Sequence, residues 1–434
     1  MNYCCQKRTR ELLAADLHGP NAVRVTFSCF ICPNHPARER WYTALPSDLA
    51  DQSRYTVPTR ALMLSLVVTH KMSFQQASDF GRTRFHLAEL EPATVMRWLR
   101  AGQPTAEALA ARRQALVARF SGQLAIDEVY SNGKALIKAT DPLVGEEIAY
   151  EFAEGSVDHD VIVAFFRSLK AIGIEPTIVT TDGASVYPAA IAAVWPDAKH
   201  QSCVFHFLQG WTKRAMKAIW HCLSLMPKPK KRSPGRPPKR GRPRKDAEKQ
   251  ANRDLLRKCR FLFLKRNENL TDDERARIRE AIDAFSRLGD ESCFAALRAL
   301  VLAVYELFGP SVCTPEDAQQ HRAAILADPR YDLPFLAPLL SPLRDDAVFD
   351  RLIVSLSFEN AERTTNHVER QNREYRKRQK SHYRLRTRRS EDALLSQMLF
   401  LPRRAPLRHP AGDQRLRPRP PPPRAATMGV TPAS

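Results

Sequence analysis

Two aspartates close short apolar runs in the middle of the chain, Asp127 in LAIDEVYSNGK and Asp182 in TIVTTDGASVY, and a third acid, Glu369, stands far downstream in RTTNHVERQNREYRKRQK. A carboxylate inside or at the end of an apolar strand is costly to bury without a cation beside it. Mg2+ is the natural partner, because it is a hard ion that takes carboxylate oxygens and keeps several of its waters. Two such ions about 4 Å apart can activate an oxygen nucleophile and stabilise an oxyanion leaving group, which is what phosphodiester cleavage and strand transfer require. Taken singly, each aspartate also reads as a turn or helix-cap residue. The case for chemistry rests on their combination with the charge of the chain.

That charge is large and unevenly spread. The 434 residues carry a formal net charge of +21, with 68 Lys and Arg against 47 Asp and Glu. Residues 228–245 hold ten Lys or Arg and no acid, and residues 370–389 hold ten against one Glu. Clusters of this kind suit a polyanionic partner, although a basic run alone also reads as a solvated face or a localisation signal. The apolar content of 43% is enough to fill the cores of two to four domains, which excludes wholesale disorder. Nine cysteines, an odd number without regular spacing, point to reduced thiols in a cytoplasm. The N-terminal MNYCCQKRTRELL breaks any signal-peptide core with charges, and the strongest apolar stretch, Leu62 to Val68, is far short of the roughly 20 residues of a membrane span. The expectation is a soluble protein with no membrane partner.

The elements that must position the acids follow from periodicity. Residues 1–50 read as irregular, with one CxxC pair, Cys29 and Cys32, and with His35, Cys4 and Cys5 as further ligands of a Zn2+ site; the alternative is a set of buried or unpaired thiols. Residues 51–118 read as a helix-turn-helix domain for DNA, or as plain three-helix packing. Leu62, Leu66 and Val67 mark a first helix, Ser73 caps a second, and Pro92 and Thr94 open a third through Val95, Met96, Trp98 and Leu99. Strands are expected at 122–130, 133–141 and 146–152, with Asn132 and Gly133 turning the first hairpin. A helix at 157–171, a strand ending at Asp182, a helix at 185–195 and a further strand through HQSCVFHF complete the order of an α/β, RNase H-like catalytic core, with a mixed five-stranded sheet whose first and fourth strands are neighbours.

AIDEVY, VTTDGASVYPAAIAAVWPDAKHQSCVFH and TTNHVERQNREYRKRQK together resemble the three catalytic blocks of bacterial insertion-sequence DDE transposases, relatives of the Mutator-like elements. The second block is the most specific, since it joins a strand-end Asp to a Cys-x-x-His, here Cys203 and His206, on the next strand. The resemblance implies that Asp127, Asp182 and Glu369 bind two Mg2+, with Mn2+ able to replace them, and that Cys203, His206 and Asn366 support them. Periodicity alone leaves the third acid open, because Glu362 lies seven residues earlier on the same presumed helix face and Glu359 and Glu374 are near. The resemblance implies Glu369.

It further implies double-stranded DNA as partner, both transposon ends and target, a homo-oligomer of two or more subunits, and a bacterial, nucleoid-associated location. The core is expected at 119–222 and 351–400, interrupted by a helical insertion at 223–350, with 401–434 a disordered Arg/Pro-rich tail. Within the insertion, Arg236 and Arg242 sit in two GRP cores that look like AT-hooks, a flat extended form that suits a narrow minor groove; a nonspecific basic linker is the other reading. Arg370, Arg373, Arg376, Lys377 and Arg378, interleaved with Tyr375 and Tyr383, are expected to hold DNA phosphates. The rival readings are an RNase H-like nuclease without strand transfer and a domesticated transposase acting as a DNA-binding regulator.

Overall fold

The computed structural model describes residues 2–14, 21–31, 41–43, 54–131, 133–225, 244–286, 292–381, 385, 387–401 and 415–420. The chain divides into two compact units, one made of Met1–Ala118 with Glu369–Ala405 and the other of Arg119–Val368 with Pro406–Ser434. The division falls inside one continuous helix.

The first unit opens with strands β1 (Asn2–Ala14), β2 (Asn21–Ile31) and β3 (Trp41–Thr43), an antiparallel sheet in the order β1-β2-β3. This corrects the expectation of an irregular N-terminus. The signal was present in β2, where Val23, Val25, Phe27, Cys29 and Ile31 alternate with the residues between them at the strand period. Helices α1 (Val57–Val68), α2 (Phe74–Arg84), α3 (Pro92–Ala101) and α4 (Ala106–Arg119) follow. Ser73 caps α2 through a reciprocal capping box with Gln76, with the Gln76 N–H donating to Ser73 Oγ at 3.1 Å and the Ser73 N–H to Gln76 Oε1 at 2.9 Å. Met63, Val67, Phe74, Leu90, Val95 and Leu99 form the centre of this unit's core, together with Ala393 and Leu394 from the C-terminal end of the chain.

The second unit is built on strands β4 (Gln123–Ser131), β5 (Lys134–Asp141), β6 (Glu146–Glu154), β7 (Ile178–Thr181) and β8 (Lys199–Ser202), with helix α5 (His159–Ala171) before β7 and α6 (Val186–Val194) before β8. The sheet order is β6-β5-β4-β7-β8, so the first and fourth of these strands are neighbours. The β4–β5–β6 meander is antiparallel, whereas β4, β7 and β8 run parallel. Asp158 caps α5 by accepting from the Val161 N–H at 3.0 Å, and Ile162, Phe165, Phe166 and Leu169 supply its buried face.

After β8 the chain is helical: α7 (Val204–Leu225), α8 (Arg244–Cys259), α9 (Asp272–Ser286), α10 (Ser292–Leu307), α11 (Pro315–Ala327), α12 (Ala337–Arg344) and α13 (Asp346–Ile353). Thr271 and Glu274 exchange two bonds of 3.2 Å at the start of α9. Trp211, Phe263, Phe294, Leu300 and Phe349 are buried in the core these helices share, and Arg298 is buried among carbonyls, donating to Phe263 O at 2.8 Å and to Asn267 Oδ1 at 2.6 Å. Helix α14 (Asn366–Ser381) carries the chain back to the first unit, which α15 (Arg388–Met398) completes. Residues 415–420 belong to the second unit, where the Leu416 N–H donates to Ser121 O at 2.9 Å and the Arg419 N–H to Ser357 O at 2.8 Å; this stretch of the expected disordered tail is held in place. Among the described residues no helix is long and apolar enough to cross a membrane.

Candidate active site

The position of Asp127 and Asp182 follows from the register of the sheet. β4 and β7 pair in parallel as Gln123↔Ile178, Leu124↔Val179 and Ala125↔Thr180. Carried on by two residues, the same register sets Asp127 opposite Asp182, just past the carboxyl end of the ladder. Strand alternation along β4 puts Asp127 on the face of Gln123. Both acids are half-buried. Asp182 lies in a tight turn: its Oδ1 accepts from the Ala184 N–H at 2.9 Å, and Gly183 follows at φ +92°, a conformation only glycine adopts without strain. On the other side of β4, Lys138 of β5 is the register partner of Asp127. It is fully buried and bonded to Glu147 at 2.9 Å, so a fixed ion pair flanks the acid.

Two buried glutamines bring the chain before α14 onto the same face of the sheet. Gln123 of β4 donates from Nε2 to Glu362 O at 2.7 Å and accepts the Glu362 N–H at 2.9 Å. Gln201 of β8 donates to Leu352 O at 3.0 Å and accepts the Ser355 N–H at 2.7 Å. Each amide reads a main-chain donor and acceptor together, the arrangement a buried amide needs to satisfy itself. Glu362 therefore lies in a non-helical segment held by its backbone, and α14 begins only at Asn366. The expectation that Glu362 and Glu369 share a helix face is overturned by this anchor.

Cys203 and His206 join in the same attachment. Contrary to expectation they are not strand residues: Cys203 sits at the junction after β8 and His206 lies in the first turn of α7. Thr365 donates to Cys203 Sγ through both its N–H and its hydroxyl, each at 3.3 Å, and its hydroxyl lies 3.4 Å from His206 Nδ1. The Val204 N–H also donates to Arg363 O at 3.1 Å. Burial raises the Cys203 thiol, but the bonds from His206 and Thr365 outweigh it and leave its pKa below the ordinary thiol value. The CxxH pair thus pins the residue just ahead of α14, and Asn366 and Glu369 follow in the first turn of that helix.

Two groups beside the aspartates carry electrostatic signatures that no motif announced. Glu128, next to Asp127, is pushed up to about 7, first by burial and then, against the lowering bond from Tyr187, by the charges of Asp182 and Asp127. Tyr187 Oη donates to Glu128 Oε1, and burial in the first place, then the Glu128 charge, raises the phenol well above its usual value. The carboxylates of β4 and the Asp182 turn are thus close enough to repel one another, a concentration of negative charge that a divalent cation relieves. On the opposite face of the sheet, His200 Nε2 lies 2.9 Å from Thr181 Oγ1, which also accepts from the Gly183 N–H at 3.3 Å. Burial, followed by the charge of Arg351, lowers the His200 pKa to about 4, so the ring is neutral.

In the first unit, α14 presents Arg370, Arg373, Arg376 and Lys377 as exposed side chains, and Arg370, Arg373, Lys377 and Lys380 follow one stripe. Arg378 departs from the expectation. It is buried, donates to Val68 O at 2.8 Å and to Glu374 O at 3.0 Å, and serves the packing of its unit instead of a phosphate. Tyr375 is likewise buried. Cys29 lies on β2, whereas Cys32, Arg236, Arg242 and Tyr383 fall outside the described residues.

Residues 124–291 match a family model described as a transposase. The match begins in β4 and extends through α9, so it takes in Asp127, Asp182, Cys203 and His206 and stops short of Glu369. No curated protein matches the chain. Among solved structures, the Drosophila P element transposase strand transfer complex is similar with a TM-score of 0.40 and 11% identity, over 78% of this chain and 91% of that one.

Proposed function

We propose that the chain is a DDE-type transposase with an RNase H-like core, in which Asp127, Asp182 and Glu369 hold two Mg2+ ions and act on double-stranded DNA. The observation that supports this reading is the parallel β4–β7 ladder, which ends at Ala125↔Thr180 with Asp127 and Asp182 each two residues further along its two strands, within the stretch that matches the transposase family. An all-carboxylate donor set suits a hard cation.

Bound there, the ions would supply nucleophile activation and leaving-group stabilisation in phosphodiester chemistry. The chain's own part is to fix the acids and the DNA. The Asp182–Gly183 turn and the β4 strand end aim the two aspartates. Gln123, Gln201 and the Cys203–Thr365–His206 cluster seat the segment that runs up to α14. The exposed bases of α14, which follow directly on Glu369, hold the phosphate backbone. The reading includes cleavage at the element's ends followed by in-line attack of the freed 3′-OH on target DNA, by a dimer or larger assembly.

Replacing Asp127 by Asn, Asp182 by Asn and Glu369 by Gln, each singly, tests it. Each variant is expected to retain DNA binding and to lose Mg2+-dependent end cleavage by at least about a thousandfold, as for removal of a group that stabilises transition-state charge. Activity retained in any one of the three removes that residue from the site. Cleavage without joining to target would favour the nuclease reading.

A further inference from the structure

Past the last pairing of the β4–β7 ladder, at Ala125↔Thr180, no further backbone register holds Asp127 and Asp182 to each other. A side-chain bond bridges the two segments beyond that point. Glu128 follows Asp127 directly, and Tyr187 stands five residues after Asp182 in the first turn of α6. The bond from Tyr187 Oη to Glu128 Oε1 therefore ties the two acid-bearing segments together on the face of the sheet opposite the acids.

We propose that Glu128 and Tyr187 are positioning residues that set the separation of Asp127 and Asp182, and with it the affinity of the site for divalent cations. This rests on the reading of those aspartates as metal ligands. The donor end is rigid: Tyr187 is fully buried and its ring stacks on Phe166, with centroids 6.4 Å apart and planes at 27°, so the hydroxyl is a fixed point. The acceptor end is a short side chain one residue from the acid it steers. Alternation along β4 turns Glu128 to the face away from Asp127. Its Oε1 accepts from the phenol, which ties β4 to the start of α6. A site of two carboxylates tolerates little slack, since displacements of about 1 Å at supporting residues degrade metal and catalytic geometry.

The test is Mn2+ binding to the full-length protein without DNA, followed by the loss of the free-ion EPR signal, in Tyr187→Phe, Glu128→Ala and Glu128→Gln, with Asp127→Asn as reference. Tyr187→Phe keeps the buried ring and its stack, so circular dichroism and melting should match the parent. Tyr187→Phe and Glu128→Ala should weaken Mn2+ roughly tenfold, equivalent to about 1.4 kcal/mol. Glu128→Gln, whose amide oxygen still accepts from the phenol, should stay within about threefold of the parent, a change of well under 1 kcal/mol. Parental affinity in Tyr187→Phe overturns the brace, and so does a Glu128→Gln variant as weak as Glu128→Ala, since the charge and not the bond would then matter. Undiminished Mn2+ binding in Asp127→Asn instead overturns the metal site itself, and the brace with it.

Discussion

Protonation of His200 should unsettle the strand pair that carries Asp182. The ring is neutral because burial, and after it the charge of Arg351, lowers its pKa from 6.5 to about 4. A base with a depressed folded pKa binds fewer protons folded than unfolded, so its contribution is complete above about pH 6.5 and falls away as the pH drops toward 4. The 2.5-unit difference corresponds to roughly 3 kcal/mol, of which about 2 kcal/mol is lost by about pH 5. The structural route is short: a charged ring there is buried and faces the charge of Arg351, and its Nε2 is bonded to Thr181 Oγ1, which is also the acceptor for the Gly183 N–H beside Asp182. Hydrogen exchange in β7 and β8, corrected for the intrinsic pH effect, reads this locally. In His200→Gln, which does not titrate, the loss of protection between about pH 7.5 and about pH 5 should be smaller than in the parent by about 2 kcal/mol. Identical losses in the two proteins would refute the assignment.

Other consequences can be checked separately. Arg370→Ala and Arg373→Ala should each weaken DNA binding at every sequence and lower the salt slope of log K by about 1, measured by titration at several salt concentrations, while leaving stability unchanged. Arg378→Met should do the reverse: it removes a buried bond to Val68 O, costs roughly 1–3 kcal/mol of the first unit's stability in urea melts, and leaves the salt slope alone. Gln123→Leu strands the N–H and C=O of Glu362 and should cost about 2–4 kcal/mol in the second unit, seen as faster exchange of residues near Glu362; Gln123→Glu, which keeps the acceptor, should cost less. At Glu374, burial raises the pKa, but the bond and charge of Lys71, with Lys377 and Arg378, override it and hold the carboxyl at about 2. Its stabilising contribution is present above about pH 4.3 and lost as the pH falls toward 2, so acid melts of Glu374→Gln should show a flatter pH dependence than the parent across that window.

What was legible in the sequence was what local chemistry specifies. The three helices after residue 54 follow from apolar spacing, the Ser73 box and Pro92, and the order of strands around Asp127 and Asp182 from alternation and turn residues. Less visible was β1–β3, because the middle of β1 is a run of charges without alternation and β2 alone keeps the strand period. The remaining differences are nonlocal. Helical period continues on paper from Glu369 back to Glu362, but Gln123, 239 residues away, holds that backbone in another shape. Arg378 has the same composition around it as its exposed neighbours and differs only in meeting Val68 O. Glu128 and Tyr187 are 59 residues apart, and nothing in either segment announces the other.

The grip of Gln123 and Gln201 on main-chain atoms has an evolutionary corollary. Because the two amides recognise peptide groups, the identities of the residues they hold are unconstrained by the grip itself; Leu352 is fixed instead by its burial in the core, whereas half-buried Glu362 can vary in side chain while its path is preserved. Deep mutational scanning should therefore show a lopsided pattern, with two intolerant glutamines on the sheet and a permissive acid at position 362. An insertion or deletion there, which shifts the peptide groups out of step with both amides, should be tolerated far less than any substitution.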